Sequence, residues 1–121
     1  MISEGTRARM LAFRAERDWQ QFHTPKNLAA SVAIEAAELL EIFQWTSESE
    51  LAQTVEKKRE HIGQEMADVL MYLEFLAHDL KLDLDECVRN KLAINEINYP
   101  VAESRGSAAK YDELRQRRKN R

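Results

Sequence analysis

The sequence predicts an all-α fold, a four-helix bundle with short connections, and three observations carry that prediction. Its 121 residues include only three Gly and two Pro, set among long runs of Ala, Leu, Glu, Lys and Arg. Those residues adopt helical backbone at the least energetic cost. Apolar side chains recur at intervals of three and four, the period of a helix. Short polar breaks with capping signals separate the runs. The length suits one domain able to bury a core.

The first helix is predicted over about residues 4–22. Ala8, Leu11, Ala12, Ala15, Trp19 and Phe22 share one face, and Arg7, Arg14 and Arg17 lie largely elsewhere. Thr24-Pro25 then stops and restarts the chain, Thr as N-cap and Pro in the first turn. A second helix follows to about Phe43 or Trp45, and Thr46-Ser47-Glu48-Ser49-Glu50 reads as a loop. A third helical region runs from about Leu51 to Leu80, as one helix or as a short and a long one, with Gly63 as its weak point. Asp83 and Glu86 make a D-x-x-E capping box for a fourth helix, which Pro100 stops just after Tyr99. The domain so read covers residues 1–100. Residues 101–121 read as a C-terminal arm and a basic, partly disordered tail.

Charge and cysteine content narrow the class. The net charge is −3, yet residues 115–121 hold five basic groups and no acid. Residues 1–114 therefore carry 13 basic and 21 acidic side chains, an acidic body unsuited to binding nucleic acid. The basic end reads as a solvated terminus. Cys87 is the single cysteine, which points to a reducing compartment. No apolar run approaches the ~20 residues that span a bilayer, and no leader pattern opens the chain. The expectation is a soluble cytoplasmic protein without a membrane partner.

Four acids occupy positions where a helix would ordinarily bury leucine. They form two repeats, Glu35-x-x-Glu38 in VAIEAAELLEIF and Glu65-x-x-Asp68 in IGQEMADVLMYLEFL. At about 100° per residue, Glu35 shares a stripe with Leu28, Val32, Leu39 and Ile42, and Glu38 stands at its edge. Glu65 and Asp68 flank Tyr72 beside Phe75 and Leu76. Carboxylates are seldom buried unless paired or bound to metal. If helices two and three pack together, the four charges repel in a medium of low dielectric. A hard cation relieves that repulsion, and oxygen-only ligation suits Mg²⁺ or Mn²⁺. Glu41, Glu60 and Glu74 point away from the stripe and read as solvated.

Other chemistries fit poorly. No Glu is followed by His three residues later, as a ferritin-like di-iron site requires. His23, His61 and His78 are dispersed, and one cysteine cannot build a zinc finger. Gly5, Gly63 and Gly106 lie too far apart for a P-loop. On the fourth helix, Lys91 and Asn95 fall in line with Leu84 and Val88, and Tyr99 continues the row. Such a row suits phosphate or sugar recognition, with Lys as a point charge, or else a snorkelling Lys at a polar helix end. Trp19 and His23 lie one turn apart on the first helix, and Trp45 closes the second. Aromatic residues in such stripes are usually core. Asn27 fits a local cap as well as a ligand contact.

Taken together, the segments ERDWQQFHTPKNLAASVAIEAAELLEIFQW, QEMADVLMYLEFLA and KLAINEINYP resemble the all-α nucleotide pyrophosphohydrolases of the MazG-like superfamily, in particular its dCTP pyrophosphatase branch. The resemblance covers about residues 10–100, and SRGSAAKYDEL is also similar. It implies that Glu35, Glu38, Glu65 and Asp68 bind Mg²⁺ and carry the catalysis. It further implies a base pocket of Trp19, His23 and Trp45, with Tyr72 lining the site and Lys91, Asn95 and Tyr99 holding sugar and phosphates. Relatives of this type assemble as dimers or tetramers through their helices, with sites completed by a neighbouring subunit. The pattern departs at Met10, where some eukaryotic relatives carry histidine, which loosens the inference about the base. The implied reaction cleaves dCTP or a modified dNTP between the α- and β-phosphates, releasing monophosphate and pyrophosphate and cleansing the nucleotide pool. The residues leave two alternatives open: the same fold acting on dUTP, dATP or a damaged nucleotide, and a non-enzymatic helical module that binds only a structural cation.

Overall fold

The computed structural model describes residues 2–120, and among these every regular element is helical. Each of the four predicted helical regions is present, two of them interrupted. Two compact units part between Leu82 and Asp83, inside the span that sequence alone assigns to one domain.

In the first unit, α1 (Glu4–Glu16) opens on Ser3, whose hydroxyl accepts from the Thr6 backbone N–H. It is shorter than predicted. Asp18 adopts a left-handed backbone with φ 53°, a conformation Asp tolerates better than most residues. A short 3₁₀ turn at Gln20–Phe22 follows. Trp19 and His23 therefore lie on a connection and not on successive turns of one helix. Helix α2 (Pro25–Phe43) starts as predicted, with Thr24 accepting from the Asn27 backbone N–H. After a 3₁₀ turn at Glu48–Glu50 come α3 (Leu51–Lys57) and α4 (Arg59–Leu80). The break falls at Lys58, with φ −110° and ψ 17°. Gly63 lies within α4 and does not interrupt it. The predicted weak point is thus displaced by five residues, because one glycine costs less than the packing of α4 restores.

The principal packing is α2 against α4, joined by α1. Met10, Leu28 and Phe75 form the buried centre, with Ile2, Leu11, Met71, Tyr72 and Leu76 packed around it. Leu28 is 1 % exposed. Two ion pairs also tie α1 to α4. Arg14 donates to both Asp79 carboxylate oxygens, at 2.9 and 2.8 Å, with its guanidinium 4.8 Å from the Phe75 ring centroid. Arg7 donates to Glu74 Oε2 through Nε at 3.3 Å and Nη2 at 3.2 Å. Arg14 is 3 % exposed and Glu74 4 %. Helical periodicity puts Arg14 off the apolar face and Glu74 in solvent; they are buried because each has an opposite charge on the facing helix.

The second unit comprises α5 (Leu84–Asn98), α6 (Val101–Ser104) and α7 (Tyr111–Lys119). Asp83 caps α5 by accepting from the backbone of Asp85 and Glu86. Where the sequence predicts an irregular arm, the chain forms α6 and α7. Asp112 and Glu113 in the first turn of α7, and Arg117, Arg118 and Lys119 in its last, complement the helix dipole. Leu114 is buried, and Arg118 pairs with Glu103 at 2.7 Å. Among the described residues no helix is long and apolar enough to cross a membrane.

Candidate metal centre and adjoining cleft

Packing of α2 on α4 brings Glu35, Glu38 and Glu65 together, each offering an oxygen within 4.8 Å of the others. The three-residue spacing on α2 puts Glu35 and Glu38 on adjoining ridges, and α4 supplies the third acid. Asp68, half-buried one turn beyond Glu65, lies outside that trio but its charge acts on Glu35. The Glu35 carboxyl is pushed up to about 7, first by burial, then by a hydrogen bond shared with Glu38 and by the charges of Glu38, Asp68 and Glu65. Glu35 Oε2 and Glu65 Oε2 are both buried without a hydrogen-bond partner. Unpaired buried carboxylate oxygens are costly, and these two, with the exposed Glu38 carboxylate beside them, have the donor chemistry of a hard divalent cation. The acids present therefore fit Mg²⁺ or Mn²⁺.

A cleft of about 430 Å³ adjoins the trio, lined by Glu38, Glu41, Ile42, Trp45, Lys58, His61 and Glu65. Its volume lies in the range of small-molecule sites. Trp45, just beyond the end of α2, is 88 % exposed. Glu41 lines this cleft, although the stripe alone placed it in bulk solvent. Lys58 and His61 were not predicted as site residues. The available signal was spacing: His61 stands four residues before Glu65, one turn away on the same face.

The other predicted residues occupy distinct places. The His23 ring lies 6.2 Å from Tyr72 and 5.4 Å from Phe75, centroid to centroid. Burial, then the Arg14 charge, hold His23 below its usual range, against an opposing pull from Asp79. Its Nδ1 is buried without a partner. Arg14 in turn holds the Asp79 carboxyl below the ordinary carboxylate range, chiefly by hydrogen bonding. Trp19 packs edge-on against Phe13 at 5.5 Å and remains partly exposed. Asn27 is committed locally: its Nδ2 donates to the Phe22 carbonyl at 3.0 Å. Lys91, Asn95 and Tyr99 belong to the second unit, on α5 and at its C-terminus. Lys91 is exposed, Asn95 is half-buried, and the Tyr99 ring meets Tyr111 edge-on at 6.3 Å.

Comparison with known proteins adds a lineage to this geometry. A model of the MazG-like family matches residues 30–114. The dCTP pyrophosphatase 1 of Mus musculus is 45% identical over 104 residues, covering 84% of this chain and 61% of that protein. The Homo sapiens protein of the same name is 42% identical over 104 residues, with 84% and 61% coverage. The chain thus spans about three-fifths of the length of these mammalian relatives. Among solved structures, a pyrophosphatase from Archaeoglobus fulgidus DSM 4304 superposes with a TM-score of 0.77 at 45% identity, covering 80% of this chain and 91% of that one.

Proposed function

The chain belongs to the MazG-like family, and from that premise we propose that it is a Mg²⁺-dependent nucleoside triphosphate pyrophosphohydrolase acting on dCTP or a modified dCTP. Water attacks the α-phosphorus, the bond to the bridging oxygen of the β-phosphate breaks, and the monophosphate and pyrophosphate leave. The observation that carries this reading is the convergence of Glu35, Glu38 and Glu65 beside the 430 Å³ cleft, with two buried carboxylate oxygens lacking partners.

Glu35, Glu38, Glu65 and Asp68 would hold the cation. When bound, it would acidify water and offset charge gathering on the transferring phosphoryl group. A carboxylate of the same cluster orients that water and takes its proton. Trp45 offers a ring for the base to stack upon. Family membership assigns the rest of the base pocket to His23, Trp19 and Tyr72. Lys58 contributes a point charge for phosphate from within the cleft; the role of Lys91, Asn95 and Tyr99 toward sugar and phosphates rests on family membership alone. Asn27 acts mainly by fixing the connection that carries His23.

The same reading includes self-association as a dimer or tetramer. Ile34 and Leu40 on α2, and Met66 and Leu73 on α4, are exposed large apolar side chains, which a solitary chain would leave in water. The assignment to nucleotide-pool cleansing in the cytoplasm rests on the substrate class and on the lone exposed thiol Cys87.

A panel of dNTPs incubated with and without Mg²⁺, with pyrophosphate and orthophosphate measured separately, tests the proposal. The expected result is pyrophosphate and dCMP from dCTP only when Mg²⁺ is present. A folded protein that releases no pyrophosphate from any nucleotide would overturn it.

A further inference from the structure

We propose that His61 is a positioning residue of the cation centre, acting through Glu65; this inference rests on the metal-dependent reading above. The two oxygens of Glu65 have different surroundings. Oε1 lies 3.0 Å from His61 Nε2, whereas Oε2 is buried and meets no partner. With the carboxylate oxygen accepting, the bond corresponds to the imidazole tautomer that donates from Nε2. The last torsion of a free glutamate is broad and roughly two-fold. The bond from His61 removes that freedom and leaves Oε2 as the oxygen without a partner, on a residue grouped with Glu35 and Glu38.

The spacing suits this role. His61 precedes Glu65 by four residues in the first part of α4, so the Glu65 side chain reaches back to the ring along the same face. The imidazole is 55 % exposed and lines the cleft with Lys58 and Trp45, so little packing depends on it. An ordinary exposed pair at this spacing adds slightly to helix stability and nothing to cation affinity. Groups that orient metal ligands behave differently: their loss typically weakens metal binding 10- to 100-fold. Stability and cation affinity therefore separate the two roles.

The experiment is a calorimetric titration with Mn²⁺, without nucleotide, of the parent chain, His61→Ala, His61→Gln and Glu35→Gln. The glutamine amide nitrogen can occupy the place of Nε2 and restore the donor. About tenfold weaker Mn²⁺ binding is expected for His61→Ala, with near-parental binding for His61→Gln and nearly unchanged melting of both in the metal-free state. If His61→Ala binds Mn²⁺ as tightly as the parent, or His61→Gln is as weak as His61→Ala, the role is refuted while the cation site stands. A parent chain that binds no Mn²⁺ refutes the metal-dependent reading and this inference with it.

Discussion

Removing the charge of Glu35 should make the metal-free protein more stable while destroying its response to divalent cations. The folded-state pKa is raised from 4.5 to about 7. Between those values the folded protein binds more protons than the unfolded chain, so stability falls as pH rises through the window and stays low above it. At about 1.4 kcal/mol per pKa unit, the penalty at pH 8 is about 3 kcal/mol at most, reduced by salt screening. Glu35→Gln keeps the shape and removes the penalty. For a chain of this size, that is an increase in melting temperature on the order of 10 °C at pH 8 in a chelator. At pH 5, where Glu35 is protonated in the folded parent but mostly ionised in the unfolded chain, the difference should shrink to about 1 kcal/mol. Adding Mg²⁺ or Mn²⁺ at pH 8 should raise the melting point of the parent and leave the variant little changed, because binding to the folded state is lost with the ligand. The assay is thermal unfolding of both proteins from pH 5 to 8.5, with chelator and with cation, read as the difference between them so that other titrating groups cancel. A parent as stable as Glu35→Gln throughout this range in chelator would refute the account of crowded carboxylates.

Three further outcomes follow from named contacts. Arg14→Leu strands Asp79 opposite α1 without its bidentate partner, so chemical denaturation should show a loss of about 3–5 kcal/mol. Gly63→Ala should stabilise the protein by about 0.5–1 kcal/mol in the same measurement, since a Cβ at this helical position meets nothing within 4 Å. Trp45→Ala should weaken substrate binding about tenfold, seen as a raised KM, with little change in melting temperature because the ring is exposed.

Much of this molecule was legible from side-chain chemistry alone. Thr24 and Asp83 start helices where their capping groups predict, because caps act through backbone atoms two and three residues away. The misplaced acids of the second and third helical regions likewise announced a site, since a carboxylate in an apolar stripe has few physical explanations. The misreadings lie where a partner distant in sequence decides the outcome. Arg14 and Glu74 look solvent-facing by periodicity and are buried only because Asp79 and Arg7 face them. The end of α1 at Glu16 is followed by a left-handed Asp18, a residue that is not glycine, and the tail beyond Pro100 forms α7 around the buried Leu114.

The sequence by itself determined that the chain is helical, that its acids come in two i, i+3 pairs, and that the surrounding segments resemble nucleotide pyrophosphohydrolases. Those properties depend on backbone propensity and on the direction in which neighbouring side chains project. Only the tertiary structure decided that Glu35, Glu38 and Glu65 converge, that Lys58 and His61 share their cleft, and that Glu65 keeps one oxygen bonded and one free. Helical periodicity states which side of a helix a residue occupies, but not what the facing helix brings to it. The cost of gathering like charges arises only when α2 meets α4, and the means of relieving it is set there as well.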